Sequence, residues 1–124
     1  MLIKVLIVDD EDALPRIMRD YLEDEGGFDV TIASSGEAGL ELCQSARFDV
    51  CIVDVRLGKM TGNEFIVMAH QQLPECQFII HTGSLDYVIP EELTMIGLTS
   101  ASVLFKPILD LAEIEKKINS LLGL

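Results

Sequence analysis

Polar side chains that could do chemistry follow four of the five apolar runs in this sequence, at the point where each run ends. They are Asp9, Asp10 and Glu11 after the first run, Asp54 after the third, Thr82 after the fourth and Lys106 after the fifth. Carboxylates bind hard divalent cations, while an amine and a hydroxyl can contact phosphate oxygens. If the fold gathers these groups, they form one site for phosphate chemistry.

Clustered carboxylates need a cation beside them. Two carboxylates about 4 Å apart repel each other by ~4 kcal/mol if the effective dielectric constant is about 20. Hard oxygen ligands favour Mg²⁺, which combines one or two carboxylates with waters and phosphate oxygens. One carboxylate is then free to act as a nucleophile and form an acyl phosphate. Lys106 would balance the added phosphoryl charge, and the Thr82 hydroxyl would donate to a phosphoryl oxygen.

Taken singly, each of these residues has an ordinary structural explanation. An aspartate after a strand is usually a turn former or a helix cap. Lys106 before Pro107 fits a simple turn, with a cis peptide bond as one option. His81, at the end of the fourth run, is expected to be a packed or hydrogen-bonded core histidine. Only the shared position of the polar groups at run ends favours chemistry.

The apolar runs predict the elements that position this site. Near-continuous Val, Ile and Leu over residues 2–8, 28–33, 50–53, 78–81 and 101–105 is typical of strands in a parallel sheet covered on both faces. Segments with helical spacing separate them. Strict alternation predicts an α/β fold with a doubly wound five-stranded parallel sheet, strand order 2-1-3-4-5 and helices on both faces. The crevice beyond the carboxyl ends of the strands would then hold the polar groups.

Cap and breaker residues predict where several helices begin and end. Ser34 with Glu37 indicates a capping box at the start of the second helix. Pro90 cannot lie in a helix interior, so it predicts a short fourth helix that ends at Gly97. Asp110 is expected to cap the fifth helix.

Composition bounds the class of protein. The 124 residues have room for one hydrophobic core, which predicts a single domain over residues 1–124. The 21 acidic residues outnumber the 9 basic ones, and a net charge of -12 disfavours direct binding to nucleic acid. No apolar run approaches the ~20 residues that a membrane span needs. Cys43, Cys51 and Cys76 lack CxxC spacing, so we expect buried thiols in a reducing cytoplasm rather than a disulfide framework or a zinc site.

The motifs together carry a family resemblance. They are Lys4-Val5-Leu6-Ile7-Val8-Asp9-Asp10-Glu11, then Asp54 with Gly62 eight residues on, then Thr82-Gly83, then Lys106-Pro107. This joint pattern resembles the CheY-like receiver domain of two-component response regulators, and it extends over essentially the whole chain. Val103 departs from it, because many receivers have an aromatic switch residue at that position.

The resemblance implies a phosphorylation switch rather than an enzyme with a separate substrate. A histidine kinase or phosphotransfer protein would pass a phosphoryl group to Asp54. Asp10, Asp54 and the backbone carbonyl of Arg56 would hold Mg²⁺ directly, with Asp9 acting largely through water. Thr82, the Gly83 N–H and Lys106 would contact the phosphoryl oxygens. Output would come from a surface formed by the fourth helix, fifth strand and fifth helix, either through an effector protein or through a phosphorylation-dependent homodimer.

Three other functions compete with this one. A phosphorylation-independent interaction module would keep the receiver fold without its chemistry, as Val103 could suggest, although the intact acidic set argues against it. An aspartyl phosphatase usually has a second aspartate two residues after the nucleophile, where this chain has Arg56. A flavodoxin-like FMN carrier would need a phosphate-binding loop rich in Gly, Ser and Thr after the first strand, and the sequence has none there.

Overall fold

Five parallel strands form the centre of the fold in the computed structural model, which describes residues 2–124. They are β1 (Lys4–Val8), β2 (Asp29–Ala33), β3 (Val50–Asp54), β4 (Gln77–Thr82) and β5 (Val103–Phe105). Their order is β2-β1-β3-β4-β5, and every neighbouring pair is parallel. The predicted doubly wound sheet and its strand order are therefore confirmed.

Helices cover both faces of this sheet. They are α1 (Ala13–Gly26), α2 (Gly36–Ser45), α3 (Gly62–Gln72), α4 (Glu91–Thr94) and α5 (Ala112–Leu121), with a 3-10 turn at Ser100–Ser102 before β5. One core joins α1 and α5 to residues such as Ile7, Ile52 and Ile79. The other joins α2, α3 and α4 to the alternate strand residues. No helix among the described residues is long and apolar enough to cross a bilayer.

Strand register brings the carboxyl ends to one edge of the sheet. Val8 of β1 pairs with Val53 of β3, so Asp9 and Asp54 come next on neighbouring strands. Asp54 in turn pairs with His81, and Thr82 pairs with Phe105, which directly precedes Lys106. The parallel register therefore places all four polar strand ends at the same edge.

Helix ends follow local chemistry, with one displacement from the sequence prediction. The cap of α2 is Ser35, whose Oγ accepts from the Ala38 N–H at 3.0 Å, and not Ser34. The prediction of Ser34 was wrong because α2 begins at Gly36, so the residue directly before it takes the extended backbone of a cap. The short α4 after Pro90 is confirmed, and Gly97 takes the left-handed backbone expected at such an end.

The last strand and helix also differ slightly from expectation. Residues 101–102 belong to the 3-10 turn, so β5 is only three residues long. The N-cap of α5 is Leu111 and not Asp110, although the Asp110 carboxylate, one residue earlier, accepts from the Ala112 N–H at 3.0 Å. The Lys106–Pro107 peptide bond is cis.

Gly62 allows α3 to begin immediately beside the end of β3. Thr61 and Glu64 form a reciprocal capping box, and the Gly62 N–H donates to the Val55 carbonyl at 3.2 Å. A Cβ atom at Gly62 would lie 2.3 Å from the backbone oxygen of Asp54. The Val55 Cα would obstruct this Cβ atom as well. Both obstacles are backbone atoms, which cannot rotate away as a flexible side chain can. Glycine is therefore required here for close packing of the α3 start against Asp54.

We expect Gly62→Ala to lower the free energy of unfolding by about 1–3 kcal/mol, because the added methyl group must displace backbone. Gly58→Ala is the matched control, since a Cβ at Gly58 meets nothing within 4 Å and its φ is not positive. That control should be neutral or stabilising by up to ~1 kcal/mol. Urea unfolding measures both, and equal stability of the two variants would contradict the steric account.

Candidate functional site

An open pocket of about 360 Å³ lies at the carboxyl edge of the sheet. Its lining comes from β1, β3, β4 and β5 and the loops that follow them, and consists of Asp10, Glu11, Asp54, Arg56, Thr82, Gly83 and Lys106. Nearly every residue that the sequence singled out therefore borders one cavity. Asp9 lies directly behind it, with only 2% of its surface exposed.

Three carboxylates converge at this pocket. Asp9, Glu11 and Asp54 each offer one oxygen, and these oxygens lie within 4.8 Å of one another. In residues 2–124 this is the one group of three or more acidic, histidine or cysteine side chains that is close enough to hold an ion. Asp10 borders the same pocket but is exposed and lies outside this group. The donors are all hard oxygens, so the group fits Mg²⁺ or a similar cation.

Lys106 reaches into the centre of the acidic group. Its Nζ lies 2.8 Å from Glu11 Oε2, 3.3 Å from Asp54 Oδ2 and 3.8 Å from Asp9 Oδ2. Burial opposes the charge of the ammonium, but its hydrogen bond to Glu11 and the nearby aspartates together raise the pKa of Lys106. One ammonium cannot neutralise three carboxylates, so the pocket retains an affinity for a further cation.

Backbone donors fix the orientation of the two buried aspartates. The Glu11 N–H donates to Asp9 Oδ1 at 2.9 Å, and the Arg56 N–H donates to Asp54 Oδ1 at 3.0 Å. Each aspartate therefore uses one oxygen for its own loop and presents the other, Oδ2, towards Lys106. Oδ2 of Asp54 is thus the oxygen that its own loop leaves unbonded.

Thr82 supplies a hydroxyl at the other wall of the pocket. Its side chain is buried, and its Oγ1 accepts from the Ser84 N–H at 3.1 Å, which leaves the hydroxyl hydrogen for a separate acceptor. The loop that follows turns back towards α3, where the Tyr87 hydroxyl donates to Asn63 Oδ1 at 2.9 Å. Tyr87 and Val103 both pack against the core on this face of the sheet.

Burial shifts the pKa of two groups in and beside the site. It raises the pKa of Asp9 to about 6, although the backbone hydrogen bond from Glu11 and the charge of Lys106 act in the opposite direction. Burial and then Lys106 lower the pKa of His81 to about 4. His81 is 1% exposed, and its Nε2 is the one buried side-chain nitrogen or oxygen in the described chain without a hydrogen-bond partner. It is thus a packed core histidine, as one of the sequence alternatives predicted.

These two pKa shifts predict opposite effects of pH on stability. Between about pH 4 and pH 6 folded Asp9 keeps a proton that the unfolded chain loses, so its contribution to stability falls as pH rises. Folded His81 lacks a proton that the unfolded chain binds below pH 6.5, so its contribution falls as pH drops towards about 4. Each of these pKa shifts corresponds to about 3 kcal/mol of stability. In the wild type the two contributions to the pH dependence largely cancel.

Single variants should separate the two contributions. Asp9→Asn should lose stability on acidification from pH 6.5 to pH 4, because the His81 dependence remains. His81→Gln should instead gain stability over a similar range, because the Asp9 dependence remains. Urea unfolding at a series of pH values, with a chelator present, gives the slope of the free energy of unfolding against pH. This slope can be compared between variants even if their absolute stabilities differ. Profiles parallel to that of the wild type would contradict the assignment.

The sequence found most of the site but missed two parts of it. Asp9, Asp54 and Lys106 are brought into direct proximity, while Asp10, Arg56, Thr82 and Gly83 line the same pocket. Direct binding of a metal by Asp10 and the Arg56 carbonyl stays a prediction. Glu11 was seen only as a neighbour of the two aspartates, and its ion pair with Lys106 joins residues 95 positions apart. The other omission concerns His81, a predicted core histidine, because nothing in the sequence indicated that its Nε2 would lack a hydrogen-bond partner.

Comparison with known proteins gives the same family over most of the chain. The model of the response regulator receiver domain matches residues 5–119. The chain is 33% identical to the alginate biosynthesis transcriptional regulatory protein AlgB of Pseudomonas aeruginosa, over 74% of this chain and 24% of that protein. It is 33% identical to the transcriptional regulatory protein CpxR of Escherichia coli, over 73% of this chain and 39% of that protein. The chain thus spans less than half of each of these two relatives.

Solved structures share the fold over nearly their whole length. The CheY-like response regulator receiver domain protein of Methanospirillum hungatei superposes with a TM-score of 0.85 at 28% identity, covering 99% of this chain and 95% of that one. The chemotaxis protein CheY4 of Vibrio cholerae gives a TM-score of 0.77 at 30% identity, covering 99% and 98%. With the family model, the sheet order and the acidic pocket in agreement, the chain belongs to the response regulator receiver domains of two-component signalling.

Proposed function

We propose that this receiver domain is a phosphorylation switch in which Asp54 accepts a phosphoryl group while Mg²⁺ is bound beside it. The observation that carries the proposal is the position of Asp54 Oδ2, 3.3 Å from Lys106 Nζ in a pocket with two further carboxylates. The other oxygen of Asp54 is held by the Arg56 N–H, so the nucleophile is oriented before any donor arrives.

The acidic group would hold the cation. Asp9 and Asp54 offer buried oxygens, Glu11 lies within reach of both, and Asp10 borders the same pocket. From the family resemblance we add the Arg56 backbone carbonyl as a ligand. When bound, Mg²⁺ would neutralise the charge that develops on a transferring phosphoryl group. The raised pKa of Asp9 means that binding must also release a proton below about pH 6.

The transfer itself is a substitution at phosphorus. Asp54 Oδ2 attacks the phosphorus of a phosphohistidine on a kinase or phosphotransfer protein, so that a P–O bond forms as the P–N bond breaks. The departing imidazole nitrogen keeps the electron pair. Lys106 lies close enough to Asp54 Oδ2 to balance the added phosphoryl charge, and the free hydrogen of the Thr82 hydroxyl can be donated to a phosphoryl oxygen. Later attack by water returns phosphate and the free carboxylate.

The output is a changed binding surface around α4 and β5. Phe105 pairs with Thr82 and is 42% exposed, and Met95 at the end of α4 is more exposed still. A shift of Thr82 towards a phosphoryl group would therefore alter a surface that already presents apolar side chains. We propose an effector protein as the partner, in the cytoplasm, with a phosphorylation-dependent homodimer as the second form of output. The net charge of -12 argues against direct nucleic-acid binding by this domain.

One observation favours a second function, a phosphorylation-independent interaction module. Val103 packs against the core at the position where many receivers have an aromatic switch residue. This chain therefore has no aromatic ring at position 103 to couple Thr82 to the output surface. Such a module would bind its partner equally well with or without phosphate on Asp54. Phosphorylation chemistry therefore separates the two functions.

Incubation with Mg²⁺ and acetyl phosphate should give protein heavier by one phosphoryl group in an intact-mass spectrum. The adduct should be absent from Asp54→Asn and present in Asp24→Asn, which makes the same change at an exposed position on α1. A wild-type protein that binds Mg²⁺ but never gains the adduct would support the interaction module. Sustained phosphate release from many phosphate esters would instead support a phosphatase.

Lys106→Met should separate metal binding from phosphorylation. Loss of the ammonium leaves the three carboxylates without their internal counter-ion, so Mg²⁺ should bind more tightly by calorimetric titration. The phosphorylation rate should fall by about 10²-fold, because the charge that balances the phosphoryl group is gone. Lys116→Met removes one charge at an exposed position on α5 and is the control. Equal Mg²⁺ affinity in the two variants would contradict this role of Lys106.

A further inference from the structure

Three thiols lie together at the end of the sheet opposite the acidic pocket. Cys43 is on α2, Cys51 is the second residue of β3, and Cys76 directly precedes β4. All three are free and buried, as the sequence predicted for each one separately. Nothing in the phosphorylation chemistry uses them, and their positions 43, 51 and 76 give no indication that they meet.

The sulfur atoms form a row with Cys51 in the middle. Cys51 Sγ is 3.6 Å from Cys76 Sγ, and the Cys43 thiol lies near enough to Cys51 for the two groups to shift each other's pKa. The acidic group is the one set of potential ligands in residues 2–124 whose atoms all lie within 4.8 Å of one another, so the three sulfurs do not surround a common point. A row of thiols suits a bond between two sulfurs better than it suits a metal ion.

Cys76 is the least deeply buried of the three cysteines, at 7% exposed against 4% for Cys43 and 0% for Cys51. It lines an open pocket of about 500 Å³ together with Arg47, Asp49 and Glu75. Its backbone lies in the connection after α3, where its N–H donates to the Leu73 carbonyl at 3.1 Å and not to a neighbouring strand. Cys51, in contrast, has no exposed surface. A reagent from solvent therefore meets Cys76 first and Cys51 only through it.

We propose that Cys51 and Cys76 are a redox modification site, in which a hydroperoxide joins the two sulfurs as a disulfide between β3 and the start of β4. The Cys76 thiolate attacks an oxygen of the hydroperoxide, an S–O bond forms, and the O–O bond breaks with release of an alcohol or water. The Cys51 sulfur then attacks the sulfenic sulfur of Cys76, loses its proton, and the hydroxyl leaves as water. Two thiols lose two electrons, and the hydroperoxide gains them.

The sulfurs are already in contact, but Cys51 pairs with Phe78, two residues beyond Cys76, so the Cys76 backbone must move towards Cys51 for the bond to form. The sulfurs must approach from 3.6 Å to about 2.05 Å, and Cys76 lies in a connecting segment that can supply part of the movement. The two neighbouring thiols, together with burial, raise the pKa of Cys51, which leaves the first attack to Cys76. The neighbouring Cys51 thiol lowers the pKa of Cys43, so Cys43 is the competing thiol in any exchange.

This inference does not depend on the phosphorylation chemistry. Cys51 and Asp54 are on the same strand, but Cys51 faces the core with α2 and α3 while Asp54 borders the pocket at the carboxyl edge. The disulfide would form without contact with any proposed ligand of the metal or the phosphoryl group. Oxidised protein should consequently still accept a phosphoryl group from acetyl phosphate, within about twofold of the reduced protein's rate.

The test is a peptide map of the reduced full chain after treatment with hydrogen peroxide. Intact mass should fall by two hydrogens, and proteolysis without reductant should yield the Cys51–Cys76 linked peptide as the dominant product. Protein oxidised in urea is the matched control, because there loop closure should favour the short Cys43–Cys51 link over the other two pairings. The linked peptide should persist in Cys43→Ser, and Cys51→Ala should leave a sulfenic acid at Cys76 that a cyclic 1,3-dione traps.

Three results would overturn the proposal. They are a native protein that gains oxygen without losing two hydrogens, a dominant Cys43–Cys51 link, or the same mixture of pairings in native and urea-unfolded protein. Because the wild-type map alone decides among these results, poor folding of a variant would not leave the question open.

Discussion

A single ammonium group among three carboxylates is the interaction on which the site depends. Lys106 extends from the end of the edge strand β5 and reaches Asp54 on β3 and Asp9 after β1. This reach requires the strand order β2-β1-β3-β4-β5, because it brings the ends of β1 and β3 next to each other at the centre of the sheet. The fold thus holds like charges together, and the repulsion that remains favours a divalent cation in the pocket.

Burial reduces this repulsion, because it favours the neutral form of Asp9. With a pKa of about 6, Asp9 is partly protonated in mildly acidic solution, and His81 stays neutral because Lys106 and its apolar surroundings oppose a second positive charge. The two shifts have the same physical cause but opposite consequences for stability, since one group holds an extra proton and the other lacks one. A cation at the site would reverse the first of these effects, because it favours ionised Asp9.

The sheet could be predicted from the sequence because the signals that indicate its strands are local. Near-continuous apolar runs, the proline before α4 and polar residues at run ends each depend on a few neighbouring positions. Contacts between distant side chains could not be predicted in this way. The Lys106–Glu11 ion pair and the Cys51–Cys76 contact depend on register, rotamer and loop path together. Even the position of the α2 cap, at Ser35 and not at Ser34, depends on where the helix backbone begins, because both candidates are serines.

The loop after Thr82 indicates how a change at the pocket could leave the site when position 103 has no aromatic ring. Thr82 Oγ1 is held by the Ser84 N–H, the Ser84 carbonyl accepts from the Tyr87 N–H, and the Tyr87 hydroxyl donates to Asn63 on α3. If a phosphoryl oxygen accepts the free hydrogen of the Thr82 hydroxyl and draws this side chain towards Asp54, the Ser84 N–H that is bonded to Oγ1 must follow it. The continuity of these hydrogen bonds leads towards α3 and the start of α4, and away from β5 where Val103 lies. The loop would then add its most exposed apolar side chains, Leu85 and Val88, to the proposed output surface around α4 and β5.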